Sequence, residues 1–385
     1  MFAIRPVFFA DFRDLFDALF SSKLRVGTEF MHDFLRARGI IMSGHATRRE
    51  LAQTIASFAY ESMDLDEICD QLEVHSRADR VSYVNFDKTV DSSLISQALS
   101  RVKENRSDRY ENINFDYVEG QRVAVEIDYF EIQEGRTALR QHLPKHGEIE
   151  FLKIGNSTRM RFPANQRVSE FAEELLSEIE KLTGPLEKAA ISLAGLSKME
   201  RTSFFKILIG KLEGYKVTDV RKVNLTKEIA GVEFSDESFL DNDETEENSI
   251  DEPTTSTTLT KKEVEKEVKS VLKKASLDGS GILRANELKA FLTSGFFISR
   301  IVWKIEPKKK NGMPAVELEA LLENPTAGTG FKYTVRGIYS YKINKTFATT
   351  KRKATEVERD SLLEKLEQAA QIAFVEAPLA QNPEV

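Results

Sequence analysis

EIEFLKIGNSTRMRFPANQRVSEFAEELLSEIEKL, residues 148–182, places two short strands and a helix in direct succession. The strands predicted at 148–155 and 157–162 meet at a Gly-Asn pair, which is typical of a tight β-hairpin turn. Residues 168–182 then carry apolar side chains at helical spacing along one stripe. A strand hairpin followed by an amphipathic helix indicates the α+β class.

Helices and strands are predicted on both sides of this stretch. The helical predictions are residues 8–20, 28–38, 48–60, 65–73, 91–104, 199–212, 261–275, 285–294 and 355–375. The further strand predictions are residues 81–86, 122–132, 214–225, 297–306, 315–323 and 331–343. Each half of the chain therefore combines a strand meander with a long amphipathic helix. A duplicated unit and two unrelated units both remain open.

An acidic segment at 234–260 divides the chain by composition. From residue 228 to 260 there are 11 acidic side chains and no Lys or Arg. Such a segment buries too little apolar surface to offset the entropy lost on ordering. We therefore predict a disordered linker, which acts as a spacer or as an acidic arm that masks a basic nucleic-acid surface. The predicted domains are a helical module at 1–110, an α+β domain at 111–233 and a second α+β domain at 261–385.

The net charge of −7 is concentrated in that acidic segment. Without its 11 acidic residues, 55 basic side chains stand against 51 acidic ones, a balance of +4. A mildly basic charge on the rest of the chain is compatible with a nucleic-acid partner, but so small an excess does not by itself indicate a nucleic-acid-binding surface.

The composition of the 385-residue chain indicates what kind of protein it is. Apolar residues make up 41% and charged residues 30%, which is typical of a soluble globular protein. No apolar run approaches the roughly 18 residues of a membrane helix, and charges between Arg5 and Asp17 interrupt any signal-peptide core. The single cysteine, Cys69, excludes an internal disulfide framework and a multi-cysteine zinc site. We therefore expect a cytoplasmic protein with no membrane contact.

Residues 28–60, TEFMHDFLRARGIIMSGHATRRELAQTIASFAY, carry the most specific motif. Gly39 follows two arginines and predicts a helix end, because glycine suits the left-handed C-cap conformation and cations suit a helix C-terminus. Thr47, with Glu50 three residues later, predicts a capping box at the start of the next helix. Two short helices joined by an extended turn are therefore expected.

The piece between those helices completes the pattern, since Ile40 and Ile41 are expected to pack between them. The whole segment resembles the SAP-type helix–extended–helix module. The residues that match the family pattern are Phe34, Leu35, Arg38, Gly39, Ile40, Ser43, Gly44, Arg49, Leu51 and Ile55.

SAP modules bind duplex DNA mainly through its backbone, and the resemblance implies the same contact here. The basic side chains of the segment cluster near its turn, where the backbone amides of a helix N-terminus favour a phosphate. The predicted nucleic-acid-binding residues are Arg36, Arg38, Gly39, Ser43, His45, Arg48, Arg49, Lys308, Lys309 and Lys310. A helical hairpin packed on the first helix, and a protein-binding module, are the alternatives for this segment.

The three lysines at 308–310 belong to a second basic concentration, which includes residues 351–353. Aromatic residues lie on neighbouring predicted strands, and basic residues with aromatics form nucleic-acid surfaces. These aromatics are Trp303, Tyr333, Tyr339 and Tyr341. The alternative is a solvated hairpin turn.

Residues 276–287 have the ligand spacing of an EF-hand loop, but Ser276 replaces its first aspartate and Arg284 occupies a ligand position. A glycine-rich turn between two helices is therefore expected instead of a calcium site. His142 and His146 are expected in a solvated loop, because Pro144 prevents both from sharing one helix face.

Enzyme signatures are scarce. No P-loop, GxGxxG, GxSxG, HExxH or CxxC motif occurs, and no cofactor or metal is predicted. Glu126 and Asp128 share one face of a predicted strand, but no lysine follows at the spacing that a restriction-type nuclease needs. A divergent enzyme that uses these two acids with His142 is a third interpretation.

The leading interpretation is a non-enzymatic, nucleic-acid-binding accessory subunit with DNA and a partner protein as its partners. Short basic modules joined to α+β domains suit a multi-protein prokaryotic DNA-handling or anti-phage defence system, by analogy alone. The alternative is a protein-interaction scaffold that binds a partner helix through aromatic residues near the N-terminus. These are Phe8, Phe9, Phe12, Phe16 and Phe20.

Overall fold

The structure, a computed structural model, contains two compact units. It describes residues 10–23, 26–60, 62–72, 80–106, 112–117, 122–132, 142–227, 274–279, 281–309, 312–342 and 346–379. Unit 1 comprises Met1–Arg77 and Asn85–Lys188, and unit 2 comprises Ala78–Val84 and Ala189–Val385. The N-terminal helices precede the strands, and the fold belongs to the α+β class as predicted.

Unit 1 begins with helices that enclose an apolar core. They are α1 (Phe12–Ser21), α2 (Thr28–Ala37), α3 (Arg48–Ala56) and α4 (Ser62–Leu72). The helix α1 directs Leu15, Ala18 and Leu19 into this core, because residues three and four apart share one face of a helix. Leu51 and Ile55 of α3 are fully buried against it.

The second part of unit 1 is an antiparallel meander with two helices. Its strands are β2 (Asn112–Tyr117), β3 (Arg122–Ile132), β4 (His142–Ile154) and β5 (Ser157–Pro163), and its helices are α5 (Ser92–Asn105) and α6 (Gln166–Thr183). Alternate residues such as Val125, Ile149 and Met160 are buried, as one-sided strands require. Gly147 marks a close approach, since a Cβ there would lie 2.7 Å from Cγ2 of Val168 on α6.

Unit 2 is an antiparallel sheet with helices on one face. Its strands run in the order β1, β11, β10, β9, β7, β8. They are β1 (Val81–Phe86), β7 (Tyr215–Thr226), β8 (Lys274–Asp278), β9 (Phe297–Pro307), β10 (Ala315–Asn324) and β11 (Thr329–Tyr339), after a two-residue strand β6 (Lys188–Ala189). The helices are α7 (Lys198–Gly210), α8 (Asn286–Thr293) and α9 (Glu356–Glu376).

One face of the unit 2 sheet packs against α7 and α9. Val316, Leu318 and Ala320 of β10 point to this core, with Trp303 of β9 and Phe204 of α7. The residues between them, Glu317 and Glu319, therefore lie on the opposite face, because side chains alternate along a strand.

Local predictions are confirmed for both meanders and for the helices that follow them. The hairpin turn joins Ile154 to Ser157, directly around the Gly-Asn pair. Two local predictions are wrong. His142 and His146 lie in β4 and not in a loop, since Pro144 is compatible with a strand. The strand β8, and not a helix, precedes Gly279; the rest of the predicted helix at 261–275 lies outside the described residues.

The division into units differs from the predicted domain boundaries. β7 pairs with β8 from Thr226↔Lys274 to Lys222↔Asp278, and with β9 over most of its length. The strands before and after the segment at 234–260 thus belong to one sheet of unit 2. The acidic segment itself lies outside the described residues. A charged, low-complexity stretch connects two paired strands as readily as it connects two domains, so composition alone does not distinguish these cases.

Within the described part of the chain, no helix has the length and apolar character needed to cross a membrane.

Candidate nucleic-acid interface

The hairpin formed by α2, α3 and their connection has the predicted local geometry. α2 ends in a Schellman motif, in which the Gly39 amide donates to the carbonyl of Arg36 and the Ile40 amide donates to that of Leu35, both at 2.9 Å. Gly39 has φ of 76°, the left-handed conformation that favours glycine. Ile40 packs on the core, but Ile41 is 89% exposed, so its predicted packing between the helices is wrong.

The start of α3 is defined by the predicted capping box. The Glu50 amide donates to Oγ1 of Thr47 at 3.3 Å, and the Thr47 amide donates to Oε2 of Glu50 at 2.7 Å. The turn before it is closed by the Ala46 amide, which donates to the carbonyl of Ser43 at 2.9 Å. The exposed Ser43 and His45 lie in this turn, where the His45 amide donates to Oγ of Ser43.

Arg38 is committed to internal contacts. Its Nη2 lies 2.5 Å from Oδ1 of Asp64 and 3.1 Å from Oε2 of Glu67, both on α4, and its Nη1 donates to the carbonyl of Phe34. Burial opposes the charge on Arg38, but the hydrogen bonds that it donates to Asp64 and Glu67, with their negative charges, outweigh burial and raise the pKa of Arg38. The predicted phosphate contact of Arg38 is therefore replaced by an ion pair between helices.

Arg48 is also committed, as a cap for the end of α1. Its guanidinium donates to the carbonyls of Leu19, Phe20 and Val26, the last at 2.5 Å. These carbonyls lie at and beyond the C-terminus of α1, where cations are favourable. Burial lowers the pKa of Arg48, as expected for a guanidinium that is partly desolvated. Its predicted phosphate contact is not supported by this geometry.

Arg36 and Arg49 remain at the surface. Arg36 pairs with Asp33 at 2.7 Å, but both side chains are more than half exposed, so the pair is weak and open to exchange. Arg49 is exposed, and none of the described residues forms an ion pair with it. Of the four arginines, two are thus placed to contact an external phosphate.

The second basic concentration is only partly described. Lys308 and Lys309 are exposed after β9, and Lys310 lies outside the described residues.

Of the four predicted aromatics, Tyr341 is half-buried and Tyr339 is 3% exposed, with its hydroxyl on Glu317 of the other face. Trp303 and Tyr333 are buried in the unit 2 core on the helix side. Their rings are inaccessible to bases.

The candidate enzyme residues do not converge. His142 is in register with Ile132, six positions along β3 from Glu126, a separation of roughly 20 Å. The structure instead brings His146 to Asp128, with Nδ1 and Oδ1 2.8 Å apart. The described residues include no group of three His, Cys, Asp or Glu side chains that could hold a metal ion.

An aromatic ladder runs along α1 beside its buried face, and Phe16 packs against the same core. The rings of Phe12, Phe16 and Phe20 are stacked, with centroids 6.2 and 5.4 Å apart. Phe12 is 50% and Phe20 is 38% exposed. Phe8 and Phe9 lie outside the described residues.

Comparison of the chain with protein-family models and with curated proteins finds no match, so the resemblance to SAP-type modules stays a prediction that rests on the residues of the hairpin.

Proposed function

We propose that the protein is a nucleic-acid-binding subunit that contacts the phosphates of duplex DNA through the α2–α3 hairpin, in the cytoplasm and together with a partner protein. The observation that carries this proposal is the placement of exposed donors on both sides of the hairpin turn. Arg36 lies in the last turn of α2, while His45 and Arg49 flank the N-terminus of α3, where backbone amides favour an anion.

We assign the proposed phosphate contact to two of the four predicted arginines. Arg38 and Arg48 hold the hairpin to α4 and α1, and Arg36 and Arg49 supply the charge. Contacts of this kind fix a protein on the duplex without reading its sequence. We therefore expect binding that is salt-dependent and indifferent to base sequence.

The test compares the intact chain with its Arg36→Gln/Arg49→Gln variant in binding to a mixed-sequence DNA duplex at low ionic strength. Arg13→Gln is the matched control, because Arg13 is 87% exposed on α1 and has a similar surface pair with Asp17. The double variant is expected to bind more weakly while the control binds like the intact chain. Equal affinity of all three, or no binding by the intact chain, would refute the proposal.

A second candidate function is favoured by the ladder of Phe12, Phe16 and Phe20. Large exposed aromatic surfaces mark protein-interaction sites, and a helix with an apolar stripe suits a partner helix. Phe12→Ser/Phe20→Ser should abolish the capture of a partner protein, whereas Phe58→Ser, at the same 38% exposure as Phe20, should not. If both variants capture the same proteins as the intact chain, the ladder is not the docking site.

A further inference from the structure

The face of the unit 2 sheet opposite α7 and α9 carries charges in two layers. Glu317 and Glu319 form the inner layer, with side chains that are each only 4% exposed. Basic side chains from neighbouring strands lie over them. They are Arg80, Arg221, Arg300, Arg336 and Lys351.

Glu319 receives three arginines. Its Oε1 lies 3.0 Å from Nε of both Arg80 and Arg300, and its Oε2 lies 3.2 Å from Nη1 of Arg336. Buried carboxylates are tolerated when they are paired and hydrogen-bonded. Three arginine charges therefore surround this single carboxylate, and Arg336 is shared with Glu317 at 3.6 Å.

Glu317 is similarly surrounded. Lys351 Nζ lies 2.6 Å from its Oε1, while Arg221 Nη1 and the Tyr339 hydroxyl donate to its Oε2 at 3.1 and 3.0 Å. Burial favours the neutral acid, but the bonds from Lys351 and Tyr339 and the charge of Arg336 outweigh it and lower the pKa of Glu317. Glu317 is thus ionised at neutral pH, and basic side chains lie between it and the solvent.

The most exposed members of the network are all basic. Arg221 is 42%, Lys351 is 41% and Arg80 is 26% exposed, against 4% for each glutamate. With the adjacent Lys304–Glu306 pair and Asp219, this network comprises six basic and four acidic side chains. This network therefore has an excess of two positive charges, and its most exposed side chains are basic.

The corresponding face of the unit 1 sheet has the opposite balance. Among the side chains that the structure describes there, three are basic and four are acidic: Arg122, Arg159 and Arg161 against Glu126, Asp128, Glu148 and Glu150. The cation excess of unit 2 is thus not a general property of the outer sheet faces in this protein.

We propose that this outer face of unit 2 is a second phosphate-binding surface, which contacts the backbone of the bound DNA through Arg221 and Lys351, its two most exposed basic side chains. The inference rests on the proposed function for the identity of the ligand. An open sheet face suits an extended polyanion better than a small anion, and Trp303, Tyr333 and Tyr339 of its strands are buried. The contact is therefore to phosphates.

The experiment measures the affinity of the full chain for the same mixed-sequence duplex as a function of salt, with Arg221→Gln/Lys351→Gln as the test variant. Each phosphate contact that is removed lowers the slope of log affinity against log salt by about 0.9. The double variant should therefore lose about 1.8 units of slope. Arg221→Lys/Lys351→Arg, which keeps both charges, should retain the slope of the intact chain.

Lys211→Gln is the matched control. Lys211 is 42% exposed and pairs with Glu376 at 2.7 Å, so its exposure and pair distance are close to those of Lys351. Its partner is an exposed glutamate, and it lies at the end of α7 in the helix layer. Its replacement should leave the slope unchanged. A folded Arg221→Gln/Lys351→Gln variant with an unchanged slope would overturn the inference, and equal losses in it and in Lys211→Gln would do so too.

The two proposals fail separately. If Arg36→Gln/Arg49→Gln loses slope and the sheet variant does not, the hairpin contact stands and the sheet contact is refuted. If only the sheet variant loses slope, the hairpin contact is refuted. If the intact chain does not bind DNA at low salt, both are refuted.

Discussion

At the scale of single residues, neighbouring arginines in one basic cluster have different roles. Arg48 caps α1 through three carbonyls, whereas Arg49, the next residue, is exposed. Sequence spacing predicts that both residues are near the turn, but it does not show which side chain turns inward. That choice depends on where α1 ends in space, which is a non-local property.

The first prediction concerns this pair. Arg48→Met should lower the unfolding free energy of unit 1 by about 2 kcal/mol, because it leaves carbonyls at the end of α1 without their charged donor. Arg49→Met should change it by less than about 0.5 kcal/mol. Urea unfolding of the two variants measures the difference. Equal stability of both would contradict the capping role of Arg48.

A second prediction concerns pH. Arg352 donates to both carboxylate oxygens of Glu358, at 2.6 and 2.8 Å, and this lowers the pKa of Glu358 to about 2. A folded-state pKa below the unfolded value of 4.5 means that the pair stabilises the fold fully above pH 4.5. That contribution is lost as the pH falls towards about 2.

Thermal melting between these pH values provides the measurement. The difference in melting temperature between the intact chain and Glu358→Gln should shrink steadily as the pH falls through this window. Glu364→Gln, an exposed position on the same helix, should show no such trend. A constant difference between the intact chain and Glu358→Gln would contradict the assignment.

At the scale of helices and strands, a feature was predictable from the sequence wherever the residues that determine it lie within about one turn of the chain. The capping box at Thr47, the C-cap at Gly39 and the hairpin at 155–156 all follow from residues close in sequence. The pairing of Arg38 with Asp64 joins residues 26 positions apart and carries no such signal. This is why the hairpin itself was predictable and the availability of its arginines was not.

A third prediction compares two glycines of unit 2. Gly328 and Gly312 have φ of 72° and 77°, but a Cβ on Gly328 would lie 2.6 Å from the Leu193 carbonyl oxygen, whereas one on Gly312 meets no atom within 4 Å. Arg201 holds the 325–326 carbonyls at 2.7 and 2.8 Å, so this turn cannot move away.

Both substitutions to alanine place a side chain in the left-handed region, at a cost of about 1–2 kcal/mol. Gly328→Ala should cost a further 1–3 kcal/mol or so for the backbone collision. Denaturant unfolding of unit 2 distinguishes them. If Gly312→Ala is as destabilising as Gly328→Ala, the close approach of the two loops is not present.

At the scale of the whole molecule, composition identifies the acidic segment but not its place in the fold. Thr226 and Lys274 are paired at the ends of β7 and β8, so the 47 residues between them connect adjacent strands. The strand pairings that define unit 2 span long sequence separations, and periodicity within a strand does not reveal its neighbour. The class was therefore predictable, while the division into units was not.

A fourth prediction follows from that pairing. Replacement of residues 227–273 by a turn of about six residues should leave unit 2 folded and stabilise it by about 2 kcal/mol, because a closed loop costs less as it shortens. Melting of the shortened chain against the intact chain is the measurement. Loss of the unit 2 transition would show that the replaced residues are required for the fold.

The most direct test of phosphate binding by the α2–α3 hairpin is the salt dependence of DNA affinity for the intact chain and for Arg36→Gln/Arg49→Gln. Two phosphate contacts by the hairpin predict that the double variant loses about 1.8 units from the slope of log affinity against log salt. An identical slope for both proteins, or an intact chain without measurable affinity for the duplex, would contradict it.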